Sequence, residues 1–266
     1  TYVTEDLVQR KLQLANYQKE NIKNISSQFN LLKKYELTEN DHKKIIKRCK
    51  LKKIKFLSSP FDLKSINFLK KLGLKTIKIP SGEITNIPYL KEIGKLKLKV
   101  ILSTGMSNVT EIQKAIQILK NSGTKKKNLI LLHCNTEYPA NLKKLNLKSI
   151  PFLGKKFKIS VGYSDHSEGI TASLAAVTLG ACVIEKHFTL NKNLKGPDHK
   201  ASLSPQELIS LVRQIRNLED MFGSYNKKPY REELQNIKYI RKYIVAKKTI
   251  IKGQFFDDVN LTTKRS

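Results

Sequence analysis

Arginine is nearly missing from a chain whose formal net charge is +29 over 266 residues. Seven of the 51 basic residues are arginine, and none lies between Arg48 and Arg213. The lysines are spread along the whole length amid Ile and Asn, a pattern of biased genome composition and solvated helix faces rather than of a recognition patch. Zinc fingers, an RNP aromatic motif and a Gly-rich phosphate loop are also lacking, so no nucleic acid is expected as the main partner. No apolar run approaches the roughly 20 residues of a membrane span. The opening TYVTEDLVQRK is not a signal peptide, so no membrane partner is expected either. Three cysteines, Cys49, Cys134 and Cys182, form neither a disulfide framework nor a CxxC zinc site. Cys134 and Cys182 sit in apolar runs and read as buried free thiols, which fits a cytoplasmic protein. An initiator methionine is missing too, and the last residues break off within what reads as a structured segment, so a fragment is expected.

What is present is a rhythm. Short apolar runs end in polar or glycine residues, and a helical stretch separates each run from the next. The runs cover 54–57, 75–83, 99–106, 129–139, 158–167 and 181–189. Asn108 with Glu111 makes a capping-box pattern before one helix, and Ser204-Pro205-Gln206-Glu207 opens another. Residues 1–37 read as a long connection with one short helix. Strand and helix alternating six times implies a parallel α/β sheet. Each run carries a polar cluster at its C-terminal end, whereas an open doubly wound sheet gathers its ligands at one switch point. The expected fold is therefore a TIM (β/α)8 barrel lacking its first two strands.

The stretch 161–189 holds the sharpest pattern. It reads strand, turn, helix, strand, with Ser164-Asp165-His166 at one strand end and Glu185-Lys186-His187 at the other. Alternate residues of a strand share a face, so Ser164 pairs with His166 and Glu185 with His187. If the strands are parallel neighbours, with the helix over 169–179 as crossover, the two imidazoles converge. A lone histidine at a strand end is usually structural. Two matched ones beside a carboxylate suit a divalent transition metal with open coordination positions.

Lys78 lies inside an apolar strand, at the parity that a barrel turns inward, and a buried lysine calls for an anion. Ser59, Ser81, Ser103, Thr136 and Ser164 bring hydroxyls from five strand ends, and Gly82 and Gly105 admit close backbone approach. Each hydroxyl alone is ordinary turn chemistry; together they read as a phosphate site. Glu83, Tyr138 and Asp198 are polar groups from three separate loops, suited to a hydroxylated substrate. His133, within LILLHC, reads as a core histidine, and His42 and His199 carry no site signal.

The segments FLSSPFD, KIPSGEITNIPYL, ILSTGM, LLHCNTEYP, VGYSDHSEG, IEKHFTL and GPDHKASL, in this order, resemble the sialic acid synthase family. That resemblance covers the chain from Leu37 onward and includes the N-acetylneuraminate and legionaminic acid synthases. It implies a TIM barrel followed by a small antifreeze-like (SAF) domain in a homodimer. The synthase domain would span 1–222, a linker 223–242, and the beginning of the SAF domain 243–266. It also implies condensation of phosphoenolpyruvate with an N-acetylmannosamine-type sugar, giving a nonulosonic acid and phosphate. His166 and His187 would hold the divalent metal, Mn²⁺ with Mg²⁺ or Co²⁺ as substitutes. Lys78, Ser59, Ser81, Ser103 and Ser164 fall where the family holds the phosphate. Thr136 falls beside them, where other members can carry asparagine. Glu83, Tyr138 and Asp198 would bind the acceptor sugar, and Glu185 would orient the metal site. Lys78, Glu83, Glu185 and Asp198 are the residues expected to be catalytic.

Two family features are not in this sequence: an EIG-x-NH-x-G motif and a lysine near a KxQT motif, both from the first two strands. A second enzyme reading, a phosphoenolpyruvate-dependent synthase of a 3-deoxy sugar acid phosphate, needs a cationic pocket for another phosphate. The arginine gap from Arg48 to Arg213 argues against such a pocket.

Overall fold

The structure, a computed structural model, describes residues 4, 5, 7–15, 18, 19 and 25–265. It divides into two compact units, Thr1–Glu219 and Asp220–Ser266. In the first, α1 (Gln28–Lys34), α2 (Glu39–Leu51) and α3 (Leu63–Lys71) precede the sheet. Five strands then follow in order: β1 (Thr76–Ile79), β2 (Lys99–Ser103), β3 (Leu129–Cys134), β4 (Ser160–Asp165) and β5 (Ile184–Lys186). Each strand pairs in parallel with its sequence neighbour. The connections are α4 (Ile87–Lys95), α5 (Val109–Asn121), α6 (Ser149–Phe157) and α7 (Thr171–Thr178), and α8 (Pro205–Met221) follows β5. No described helix is long and apolar enough to cross a membrane.

The alternation of side chains gives the sheet two different faces. One face packs Ile77, Val100, Leu102, Leu131, Val161 and Tyr163 against the helices in a large apolar core. The other carries a small apolar floor of Ile101, Ile130, Leu132 and Val183. On this second face, polar residues take over at the strand ends. The sheet curls around that face into half of a barrel, and Lys78 on β1 touches Glu185 on β5 although the two strands are its opposite edges.

Local signals in the sequence are realised as bonds. The Asn108 N–H donates to the Glu111 carboxylate at 2.8 Å and the Glu111 N–H donates back to Asn108 Oδ1 at 3.0 Å. This starts α5. The Ser204 N–H donates to Glu207 Oε2 at 2.8 Å at the start of α8. His133 faces the helices, with Nε2 against the Leu145 carbonyl at 2.7 Å and its ring stacked on Tyr163.

Three expectations are corrected. The run 54–57 is not a strand; it is an extended connection in which Ile54 is 66% and Leu57 42% exposed. A strand needs a paired neighbour, and among the described residues β1 pairs only with β2. The sheet therefore has five strands among the described residues rather than six. The last strand is also shorter than the run 181–189, because only Ile184–Lys186 form a ladder with β4, while Cys182 and Val183 add single backbone bonds to Val161 and Tyr163. Cys182 is exposed, since it precedes that short edge strand, whereas Cys134 is buried.

The second unit holds α9 (Arg231–Ile240) and a two-stranded antiparallel sheet of β6 (Tyr243–Ala246) and β7 (Leu261–Lys264). The stretch 223–242, read from sequence as a linker, thus contains a helix of 10 residues. Asn260 is fully buried, and its side-chain amide donates to the Phe255 carbonyl at 2.8 Å, tying the turn before β7.

Candidate active site

At the C-terminal ends of the strands lies a cavity of about 730 Å³. Its lining includes Ser59, Lys78, Ser81, Ser103, Thr136, Tyr138, Ser164, His166, Glu185 and His187, ten residues singled out in the sequence. Parallel strands in register put their last side chains on one rim, which is why residues 128 positions apart meet there.

Lys78 is buried at 6% exposure, and its ammonium lies 3.3 Å from Glu185 Oε2. The other carboxylate oxygen, Oε1, accepts from Ser164 Oγ at 2.7 Å. A cationic side chain, a carboxylate and a hydroxyl from β1, β5 and β4 thus form one chain of contacts. Beside it, the Ser103 hydroxyl is buried without a hydrogen-bond partner. Leaving a buried hydroxyl unpaired is costly, so this group is poised for an acceptor from outside the protein. Ser59 comes to the cavity on the 54–61 connection, which is anchored where the Tyr89 hydroxyl donates to the Pro60 carbonyl at 2.7 Å.

Gly105 is close-packed for a visible reason. A Cβ there would stand 2.8 Å from each of Cys134 Sγ, Ser81 Oγ and Thr136 Cγ2. The backbone N–H of Gly105 donates to Ser81 Oγ at 3.0 Å, so the close approach serves to fix that serine. Gly82 has open space around it. Cys134 lines the cavity, and burial pushes its thiol above the ordinary range.

The two strand-end histidines do converge. Their ring centroids are 5.4 Å apart, and Tyr138 packs on both, at 4.1 Å from His166 and 5.7 Å from His187. The Asn135 carbonyl accepts from His166 Nδ1, which fixes the proton there and leaves Nε2 with a free lone pair. Burial, reinforced by the neighbouring His187, holds the His166 imidazole below its ordinary pKa and so neutral. Two facing imidazoles with one tautomer fixed from behind fit a divalent metal. Among the described residues no group of three or more His, Cys, Asp or Glu side chains has metal-holding geometry, so two imidazoles are what these residues offer such an ion.

Glu83 and Asp198 do not line this cavity. The Glu83 carboxylate accepts from the Asn86 side chain at 2.6 Å, and Asp198 Oδ1 is buried without a partner. His199 bonds Thr189 Oγ1 at 2.8 Å, which ties the loop carrying Asp198 to the strand end. Sequence reasoning passed over Ala15, Gln28 and Lys186, all of which line the cavity. The first two lie in a stretch without periodicity, and nothing in the sequence points to them.

Comparison with known proteins is decisive at this point. Residues 1–227 match the NeuB family. The chain belongs to that family. It is 52% identical, over its full length and 79% of the relative's, to the N,N'-diacetyllegionaminic acid synthase of Campylobacter jejuni. The synthase of the same name from Legionella pneumophila is 44% identical, over 95% of this chain and 72% of that protein. Among solved structures, the N-acetylneuraminic acid (sialic acid) synthetase of Leptospira borgpetersenii superposes with a TM-score of 0.74 at 37% identity, covering 79% of this chain and 73% of that one. The NeuB family membership agrees with the resemblance read from the strand-end motifs and with the α/β half-barrel.

Proposed function

We propose that this protein condenses phosphoenolpyruvate with an N-acetylated amino sugar to give a nonulosonic acid and inorganic phosphate. The observation that carries the reading is the single cavity that brings Lys78 and five hydroxyl-bearing residues together with a facing pair of histidines. The NeuB membership and the identity to two legionaminic acid synthases support it.

The roles follow from what each group can do. Lys78 with Ser59, Ser81, Ser103, Thr136 and Ser164 holds the phosphate and carboxylate oxygens of phosphoenolpyruvate, with Ser103 supplying an unpaired donor. Glu185 shares Lys78 and Ser164 and so keeps both preorganised before the anion arrives. His166 and His187 hold the divalent ion, Mn²⁺ on the family resemblance, and Tyr138 packs against both rings. The chemistry such an ion supplies when bound is Lewis-acid polarisation of the open-chain sugar's aldehyde oxygen. Carbon 3 of phosphoenolpyruvate attacks the aldehyde carbon, water adds at carbon 2, and phosphate leaves by C–O cleavage. Glu83 and Asp198 bind the acceptor sugar from loops outside the cavity wall.

The acceptor is a sugar with two acetamido groups. A diacetylated nine-carbon product takes three carbons and no nitrogen from phosphoenolpyruvate, so both acetamido groups come from the sugar. The higher identity to the diacetyllegionaminic acid synthases than to the sialic acid synthetase supports this choice. On the same resemblance the protein works as a cytoplasmic homodimer, and β6 and β7 belong to the beginning of the SAF domain.

The test is phosphate release from phosphoenolpyruvate with 2,4-diacetamido-2,4,6-trideoxymannose and with N-acetylmannosamine, with and without Mn²⁺. Sugar-dependent release with a preference for the diacetamido acceptor is expected. Release that needs neither sugar would reject the condensation, and a preference for N-acetylmannosamine would reject the acceptor.

A further inference from the structure

Directly behind the paired histidines is a buried ion pair that the proposed chemistry does not use. Asp165 on β4 and Lys186 on β5 are register partners in the parallel ladder, one residue before His166 and His187 respectively. Their charged atoms lie 2.9 Å apart with the side chains 0% and 5% exposed. The Asp165 carboxylate also accepts from the Ser167 N–H at 2.8 Å, Ser167 Oγ at 2.7 Å and Ser173 Oγ at 2.6 Å. Lys186 in turn donates to the Ser167 carbonyl. Lys186 borders the cavity, but strand alternation turns its side chain away from Glu185 and His187, and its ammonium bonds Asp165 and the Ser167 carbonyl.

We infer that the Asp165–Lys186 pair is a clamp that sets the spacing of His166 and His187 and thereby the affinity of that site for a divalent cation. The inference rests on the metal role proposed for the two histidines. Its physical basis is the weakness of the ladder it reinforces. β5 has three residues and ends the sheet of described strands. Beyond it the edge is continued by a single bridge, with the Leu203 N–H donating to the His187 carbonyl at 2.8 Å and the Thr189 N–H to the Leu203 carbonyl at 2.9 Å, so side chains add register to a short ladder. Two successive rungs are instead locked by side chains, Ser164 to Glu185 on the cavity face and Asp165 to Lys186 on the helix face. The histidines are the next rung. Ser167, on the far side of His166, is held by the same carboxylate, so His166 is gripped from both sides along the chain. A slip of one residue in β5 would send His187 to the opposite face of the sheet. Burial lowers the pKa of the Lys186 ammonium while Asp165 raises it, consistent with a charge kept in place by its partner.

The experiment is a Co²⁺ titration of the metal-stripped protein, followed by visible absorption, alongside thermal unfolding without metal. The proteins are the parent, Asp165→Asn, Lys186→Met, the double variant and Ser173→Ala. The singles each leave a buried group unmatched and are expected to melt lower. The double variant removes both charges, so it should melt nearer the parent than either single. It is nevertheless expected to bind Co²⁺ about 10- to 100-fold more weakly, with an altered spectrum. Ser173→Ala keeps the ion pair, touches neither histidine, and should show a smaller loss of affinity. A folded double variant with parental affinity and spectrum would reduce the pair to a structural staple and overturn the inference. Should the double variant not fold, unchanged Co²⁺ affinity in Ser173→Ala overturns it. Absence of Co²⁺ binding by the parent would reject the histidine site itself, and the clamp with it.

Discussion

Lys78 and Glu185 meet at 3.3 Å, although three strands stand between the strands that carry them. In a flat sheet, four steps of about 4.8 Å would put their backbones roughly 19 Å apart, beyond the combined reach of the two side chains. The contact is therefore a chord across the concave face, and it measures how far the sheet curls. The residue that reads as the anion's partner is already neutralised by a carboxylate, which Ser164 holds at its other oxygen.

That arrangement makes Lys78→Met informative. The substitution removes a charge-assisted contact worth about 1.5–3 kcal/mol, so the KM for phosphoenolpyruvate should rise at least tenfold with little change in the KM for the sugar. Steady-state kinetics with each substrate varied in turn will read the split. Equal losses for both substrates would place Lys78 outside the phosphate site.

The histidine pair gives a second prediction. His166→Ala or His187→Ala should abolish metal-dependent turnover, EDTA should do the same to the parent, and added Mn²⁺ should rescue only the parent. Metal content after dialysis is the direct check. Either variant retaining stoichiometric metal and near-parental activity would remove the pair from the metal site.

How much of this was legible beforehand follows from periodicity. Side chains on a strand repeat every two residues, so Ser164 with His166 and Glu185 with His187 could be assigned to one face from sequence alone. Their convergence then followed from parallel pairing, which the α/β alternation supplied. The Asp165–Lys186 bond was illegible because it depends on the register between β4 and β5, and register is set by packing. Lys78 was seen to need a counter-charge, but that Glu185 supplies it required the curl. The run 54–57 misled because an apolar sequence records only a propensity to pair, and no described strand lies beside it to pair with. Glu83 and Asp198 lie on loops, where no periodicity constrains where a side chain points.

Stability should depend on pH in a defined direction. Burial holds the His133 imidazole below its ordinary pKa near 6.5, and the same holds for His166. Below that value the unfolded chain takes up a proton that the folded state resists, so stability is retained above about 6.5 and lost as pH falls toward the folded value. Urea midpoints of the metal-free protein from about pH 8 to about pH 5 should fall on the acid side. His133→Gln, whose amide can still donate to the Leu145 carbonyl, should flatten part of that fall. An unchanged slope in the variant would show that His133 is not among the groups responsible.

The sharpest steric test is at Gly105. Its backbone is in no unusual conformation, so only the space around it forbids a side chain. An alanine Cβ would lie 2.8 Å from atoms of Ser81, Cys134 and Thr136, which come from the ends of β1 and β3 and all line the cavity. Relief requires at least one of them to move, at a cost of about 1–3 kcal/mol for overpacking. Ser81 is the most exposed to displacement, because the Gly105 N–H holds it at 3.0 Å. Gly105→Ala should therefore lower the melting temperature and weaken phosphoenolpyruvate binding together. Gly82→Ala is the steric control for stability, since a Cβ there meets no protein atom within 4 Å and the melting temperature should not change, although Gly82 itself lines the cavity. Adding Cys134→Ala to Gly105→Ala removes one of the three collisions and should recover part of the lost stability. Thermal unfolding and the KM for phosphoenolpyruvate in the four proteins decide the matter. Parental values for Gly105→Ala would mean that the ends of β1 and β3 are not held as tightly around Gly105 as described.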